Sequence, residues 1–570
     1  MRTDKLNRNY NLESRNLLTR LDLFLLLSWL VVGMMLRFAN LADKPASSIE
    51  IATLGFSLGH GFSQIPLNQL IAASTLLSPL QVDFTINAAD VIDRLLAEST
   101  HPPLYFCLTH WWIKLFSDNG ELVSLQVGRS LSAILGGLAI PAIFGLSWLA
   151  FRDRLTAHLT AILMAVSPYG IYLAQEARHY TLSILWIIAS ISCAIVAIEH
   201  IHNRRKLSWW ICSIWILING LGMATHYFFS LALALEGFVI VGFWFWQRSQ
   251  KENQLRNQSS FNYWLPIIIA GLGTLAGCLV WLPVVSGISG NELTDWIATS
   301  YDLDEIWQPI PRMLAWLITM VVLLPIEGTT LGIKIASALI VLICLILTVP
   351  KLIKNGKLLL DNPKNLAMKL FMGYYLGAVI LYLLLIYGYG KDVSLAARYH
   401  FAYFPIFLVI LAAILARLWE QVENQKIVII ILVMGLLGSL TVVNNLGFQK
   451  SRSSNSLAEH IQTVTTIPSI VATTYETHSQ LRELIALALA WETNPQSDRS
   501  ITPQFLLVKR DRDHNPNLDK ILSSQPKPLD LWAINLRTDK DYLSQINCID
   551  DRNLRLDNSG YQNRLYHCTN

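Results

Sequence analysis

An all-α polytopic membrane protein of about eleven spans, with a small C-terminal α/β domain, is the fold class the sequence predicts, and three observations predict it. Hydrophobic residues make up 53% of the 570 residues and charged residues only 15%, against about 25% charged in an ordinary globular protein. Mean hydropathy is +0.41, and with 18 Trp such a chain could not cover a water-facing surface. Apolar runs near the ~20 residues needed to cross the hydrocarbon core recur until about residue 447, after which the pattern turns polar. Disordered, collagenous, coiled-coil and disulfide-framework classes are excluded. A formal charge of +4 on so long a chain gives no grounds for nucleic acid as a partner; the partner is membrane lipid.

Taken in order, residues 1–20 form a basic N-terminus, with Arg2, Lys5, Arg8, Arg15 and Arg20 just before the first apolar run, which places it in the cytoplasm. That run lacks an A-x-A-like cleavage site and reads as an uncleaved anchor. Spans are expected at about 21–38, 128–150, 155–174, 181–199, 209–225, 227–246, 263–286, 330–350, 370–388, 401–418 and 426–446. Residues 102–116 and 313–325 are apolar, Trp-bearing and Pro-flanked but short, as interfacial helices are. If 102–116 stays outside, the loops 151–154, 200–208, 247–262, 351–369 and 417–426 are cytoplasmic. With the N-terminus they hold 20 Lys/Arg, against about eight in the outer loops. The membrane domain is then 21–447. Its first outer loop, 39–127, is long and acidic, with Asp43, Glu50, Asp83, Asp90, Asp93, Glu98, Asp118 and Glu121.

Residues 448–570 read as a soluble extracytoplasmic α/β domain after a polar linker at 451–455. Strands are expected at 469–475 and 529–536, a helix at 478–491, and a hairpin over 555–567 around Asn558-Ser559-Gly560. Cys548 and Cys568 alone among the seven cysteines lie here. A disulfide between them would suit an oxidising compartment, and two unpaired thiols are the alternative.

Ionisable residues beside spans are costly at membrane depth and are functional candidates. Glu50 follows the first span. His101-Pro102-Pro103-Leu104-Tyr105-Phe106 closes the first loop, its prolines freeing His101 from helix hydrogen bonding. Gln175-Glu176-Ala177-Arg178-His179-Tyr180 is a polar knot between two apolar runs, and Thr225-His226-Tyr227 and Ala397-Arg398-Tyr399-His400 fill later turns. Singly, Glu50 would be a solvated loop residue, His101 a helix-start residue, and Glu176 with Arg178 a self-neutralising pair. The expected topology brings all of these turns to one membrane face. Carboxylates, cations and tyrosines gathered there suit phosphate binding and proton transfer.

These motifs resemble those of the GT-C superfamily of integral-membrane glycosyltransferases. HPPLYF, S-P-x-x-x-Y-x-x-Q-E-A-R-x-Y, T-H-Y and R-Y-x-x-x-x-P are most similar to those of bacterial proteins like dolichyl-phosphate-mannose–protein mannosyltransferases and the lipid A aminoarabinose transferase. The resemblance covers about residues 15–447 and leaves out the tail. It implies a helical fold with a catalytic first outer loop, a polyprenyl-phosphate sugar as donor, and transfer with inversion to an acceptor hydroxyl on a protein, lipid or polysaccharide of the cell envelope. It also implies an Asp-Glu pair opening the loop. Here Ile49 stands at the Asp position and Glu50 at the Glu position. Glu50 has taken over as base, or Asp83, Asp90, Asp93 or Glu98 has, or the protein is an inactive relative that binds lipid-linked sugar.

The chemistry fits the residue types on its own terms. A sugar on polyprenyl phosphate needs a base for the acceptor hydroxyl, worth about 10²–10⁴-fold, and donors where charge grows on the leaving phosphate. Arg178 and Arg398 can bind phosphate oxygens, and His101 and Tyr180 can add hydrogen bonds. Glu176, His226 and Tyr399 support them, Glu176 by orienting Arg178. No cofactor is required; a divalent metal could share the task, but no DxD or spaced His/Asp cluster demands one. A transporter or lipid flippase is the rival class, and no pair of interrupted spans in matching halves supports it.

The charge asymmetry predicts a cytoplasmic 200–208 loop and an outer C-terminal domain in the inner membrane. A fluorescent-protein fusion after residue 206 should fluoresce and a phosphatase fusion after residue 450 should be active; a fluorescent fusion at 450 would contradict the layout.

Overall fold

The computed structural model describes residues 19–249, 261–286, 305–493, 502–510, 516–537 and 540–569. Arg2, Lys5, Arg8, Arg15 and most of the 247–262 loop lie outside the described residues. Two compact units divide the chain. One comprises Met1–Asn40, Thr100–Tyr105 and Ser132–Phe448, and the other Leu41–Ser99, Phe106–Leu131 and Gln449–Asn570.

The first unit is a helical bundle with a long apolar core and a smaller one around Trp215, Phe243 and Trp264. Among the described residues, eight helices are long and apolar enough to cross a membrane, or nine when the bent pair Arg154–Ala165 and Pro168–Ala174 is one span. Trp209–Thr225 and Phe404–Trp419 are apolar but only 17 and 16 residues long. Every expected span is therefore helical, although eight or nine, not eleven, meet the length. This is a multi-pass membrane protein. Leu331–Asp361 shows what such a helix looks like: Leu331, Ile335, Leu339, Ile343 and Ile346 are all exposed, a surface that lipid satisfies and water would not. The first span, Arg20–Phe38, begins in a capping box, in which Thr19 accepts from Asp22 N–H and the Asp22 carboxylate accepts from Thr19 N–H.

The bent pair sets the position of the polar turn after it. Its 54° bend leaves carbonyls that no helix turn can satisfy, and at membrane depth they must find protein donors. Arg37, fully buried, supplies Nη2 to Met164 O at 2.9 Å and Nη1 to Ala165 O at 3.3 Å. Ser439 donates to Val166 O at 2.7 Å. Ser167 restarts the helix by accepting from Gly170 N–H, with Pro168 in its first turn. Gly438 lets helix Gln425–Val443 come close, since a Cβ there would lie 2.5 Å from Pro168 Cγ.

The second unit joins the 41–99 and 106–131 segments to the C-terminal chain around one sheet. Its strands are β1 (Leu70–Ile71), β2 (Ser469–Tyr475), β3 (Gln504–Lys509), β4 (Leu529–Ile534), β5 (Cys548–Asp551) and β6 (Asn563–Cys568), in the order β1-β3-β2-β4-β6-β5. β3, β2 and β4 are parallel, and β1, β5 and β6 pair antiparallel. Parallel neighbours need crossovers, which helices His478–Thr493 and Pro516–Ser523 supply. β4 is buried along its whole length, as a central strand covered on both faces must be. β1 comes from the first loop, Leu70 opposite Leu506 and Ile71 opposite Phe505. Helix Ser48–Ser57 of that loop packs on His478–Thr493. The hairpin differs from expectation: the partner of β6 is β5, upstream of residue 555. Cys548 and Cys568 face each other in that pair and are joined by a disulfide.

Candidate functional site

The polar knot is built from the first span outward. Gln175 Nε2 lies 3.3, 3.2 and 2.8 Å from the carbonyls of Leu36, Arg37 and Ala39, the orphan acceptors at that helix's end. Gln175 is thus a cap in trans, and it holds the turn from which Arg178 projects. The Arg178 carbonyl accepts from Ser132 Oγ at 2.9 Å. Because Ser132 has one proton to give, Tyr105, 2.6 Å from the same Oγ, donates to it. Tyr105, from HPPLYF, and Ser132 therefore fix the Arg178 backbone from behind. All three are buried.

The Arg178 guanidinium donates to His101 Nε2 at 3.3 Å, so His101 accepts there and is neutral. The same guanidinium lies 5.5 Å from the Tyr180 ring. His179, wholly buried, sits among the rings of His101, Tyr105, Tyr180 and His226, at centroid distances of 5.5, 6.0, 4.8 and 4.2 Å. His226 follows helix Trp209–Thr225 and accepts from Phe228 N–H at 2.9 Å through Nδ1. Phe228 meets the Tyr399 ring at 5.1 Å, and Arg398 lies 5.3 Å from that ring. The Tyr399 carbonyl accepts from Tyr382 Oη and the Ala397 carbonyl from Tyr169 Oη, which pins the turn carrying Arg398.

Six of the seven residues assigned to donor binding or support, His101, Arg178, Tyr180, His226, Arg398 and Tyr399, thus form one connected cluster of cations, imidazoles and phenols in the first unit. Glu176, buried, is the seventh and lies within electrostatic reach of Arg398. Arg178 and Arg398 both act electrostatically on His226 and His179. The cluster thus gathers two guanidiniums and one carboxylate among imidazoles and phenols, side chains of the types that hydrogen-bond an anion. Among the described residues, no group of three His, Cys, Asp or Glu is placed to hold a metal ion.

Glu50 belongs to the second unit and is fully buried. Arg129 grips it in a two-pronged pair, Nε to Oε1 at 2.8 Å and Nη2 to Oε2 at 3.1 Å. Ser47 adds its N–H and hydroxyl to Oε2, each at 3.2 Å, as a capping box, and Lys450 Nζ stands 3.6 Å away. Arg129 also donates to the carbonyls of Leu41, Lys44 and Pro45. The pair therefore ties the start of the first loop to helix Leu125–Phe151. Glu98, Asp83 and Asp90 have partners too. Burial raises the Glu98 carboxyl, but donors from Phe62, Ser63 and Arg94 outweigh it and leave the group below its ordinary value. The Thr85 hydroxyl and N–H likewise lower Asp83. Asp90 closes the capping box of Ala88–Glu98, and Asp93 is exposed.

Sequence reasoning did not assign His179, Tyr105, Ser132, Arg37 or Arg129. The two arginines had a signal, a charge inside an apolar run; Ser132 had none.

No protein-family model matches the sequence, and neither does any curated protein. Solved structures do. ArnT from Cupriavidus metallidurans bound to undecaprenyl phosphate aligns over 95% of this chain and 97% of that one, at 11% identity and a TM-score of 0.51. The fold is shared with ArnT. The apo state of ArnT gives 10% identity over the same shares and a TM-score of 0.50. An Archaeoglobus fulgidus oligosaccharyltransferase solved with Zn and sulfate is more distant, at 9% identity over 90% of this chain and 68% of that one, with a TM-score of 0.44. Identities this low speak to the fold alone.

Glu50→Gln should break a buried ion pair and leave Arg129 charged without its counter-ion, a loss of about 3–5 kcal/mol. Thermal unfolding of the purified variant should therefore show a clearly lowered midpoint; an unchanged midpoint would mean the pair does not anchor the loop.

Proposed function

We propose that this protein is a membrane glycosyltransferase that moves a sugar from a polyprenyl-phosphate-linked donor to an acceptor hydroxyl, with inversion, on the outer face of the inner membrane. The observation that carries the reading is the gathering of Arg178 and Arg398 with His101 and Tyr180 in one cluster, in a fold shared with a protein crystallised with undecaprenyl phosphate. In this reading residues 21–447 are the transferase, and 448–570, outside the membrane, act as one body with the 39–127 loop.

The chemistry follows from the charge. The acceptor oxygen bonds to the anomeric carbon as the bond from that carbon to the phosphate oxygen breaks, and the electron pair leaves with the phosphate. The phosphate goes from one negative charge to two while the acceptor loses its proton. Arg178 and Arg398 meet more charge in the transition state than in the bound donor, which is the condition for stabilisation to become rate. His101 and Tyr180 complete the phosphate's hydrogen bonds, with Glu176 holding Arg178 in place and His226 and Tyr399 lining the site.

Glu50 is the less suited to taking the proton because Arg129 and Ser47 already occupy its oxygens. We assign it the anchoring of the loop and give the proton to another loop carboxylate, Asp93 before Asp83, Asp90 and Glu98, because Asp93 is exposed while the other three accept from neighbours of their own. The occupied Glu50 and the Ile49 beside it also favour a second reading, a relative that binds lipid-linked sugar without turning it over.

Purified membranes supplied with radiolabelled polyprenyl-phosphate sugars test both. Label transfer supports the first reading, donor binding without transfer the second, and neither would overturn both. Arg178→Lys and Arg398→Lys should each lower kcat/KM by about tenfold or more despite conserving charge, because an ammonium lacks the planar fork that matches a phosphate. Unchanged turnover in both variants would mean that the arginines only balance Glu176.

A further inference from the structure

A cavity of about 260 Å³ opens in the second unit where β2 and β4 end. Glu476 follows the last residue of β2, and Asn535 and Arg537 follow the last of β4. These two strands are parallel neighbours whose connections diverge: β2 continues through helix His478–Thr493 to β3 on one side, and β4 continues to β5 and β6 on the other. In open α/β sheets, ligands bind in the crevice outside the carboxyl ends of strands at such a switch point.

The lining says what kind of ligand. Arg537 Nη1 and Arg510 Nη1 both reach Glu476 Oε1, at 2.7 and 2.8 Å, and Arg452 pairs with Glu483. Arg452, Arg537 and Glu476 line the cavity and Arg510 and Glu483 stand beside it as their partners, three guanidiniums to two carboxylates. Helix His478–Thr493 adds the positive end of its dipole beside Glu476. The amides point the same way. Gln480 Oε1 accepts from both the N–H and the hydroxyl of Thr477, and Asn535 Oδ1 accepts from Gln562 N–H, so Gln480 can offer its NH₂ and Asn535 its NH₂ with one remaining lone pair. Donors and positive charge exceed acceptors. No aromatic ring lines the cavity among the described residues, so a neutral sugar would find no stacking face. The volume is several times the ~30 Å³ that a water occupies, which leaves room beyond a phosphate for a ring whose hydroxyls the amides can serve.

We propose that this crevice is a binding site for a sugar phosphate, with the phosphate on Arg510 and Arg537 and the ring against Gln480, Asn535 and Gln562. The site lies wholly within the second unit and needs no turnover, so it stands or falls separately from the transferase reading.

Isothermal titration of the full-length protein in non-ionic detergent with glucose 6-phosphate, sodium phosphate and glucose tests it. Glucose 6-phosphate should bind saturably and more tightly than sodium phosphate, and glucose should not bind. Replacing both arginines (Arg510→Gln with Arg537→Gln) should weaken glucose 6-phosphate by about tenfold or more. Glu476→Gln should strengthen it, because both guanidiniums lose their internal partner. A merely structural network would weaken in both variants. No saturable heat with either phosphate, or binding unchanged by the double substitution, would overturn the site. Equal affinity for the two phosphates would overturn the sugar and leave an oxyanion site only.

Discussion

The interaction on which the helical unit depends is a crossing of two polar side chains between the first span and the bent span. Arg37 gives its guanidinium to the carbonyls that the bend exposes, and Gln175 gives its amide to the carbonyls at the end of the helix that carries Arg37. A buried guanidinium without acceptors would cost several kcal/mol, and so would carbonyls left bare in hydrocarbon. Each solves the other's problem. The bend is therefore a fixed feature, and it delivers Glu176, Arg178, His179 and Tyr180 in a defined orientation at the end of a short helix.

From that fixed turn the functional reading is a matter of charge. Tyr105 and Ser132 hold the Arg178 backbone, Tyr169 holds the Arg398 turn, and the imidazoles of His101, His179 and His226 pack beside them. The scaffold thus holds two guanidiniums in place, and in the reading proposed above an anion is what they receive. The second unit handles the same kind of charge differently. Arg129 and Glu50 meet there with matched geometry and full burial, with Lys450 beside them, which closes a structural knot.

The parts of this architecture that rest on local pattern were readable in the sequence. Apolar run length located the helices of the membrane unit, though eight or nine of the eleven expected spans meet the length, β2 falls where its apolar, β-branched run placed it, and HPPLYF and the QEARHY knot marked the residues that gather around Arg178. Features resting on distant partners were not readable. β1 is two residues long and pairs with β3 more than 400 positions later, and no period announces it. The Glu50–Arg129 pair joins residues 79 apart, so Glu50 read as a loop carboxylate with a free hand. The span at 155–174 gave an unbroken apolar count because the bend at Val166 is set by tertiary donors, Arg37 and Ser439 among them, that no local window contains.

If the cluster's two guanidiniums select a lipid phosphate, binding affinity shows it most directly. Undecaprenyl phosphate and undecaprenol share a tail and differ only in the phosphate. The purified protein should bind the phosphate at least about tenfold more tightly, and replacing Arg178 and Arg398 together with Gln should remove this preference while leaving tail-driven binding. Equal affinity for the two lipids in the unaltered protein would contradict the selection of a phosphate by charge.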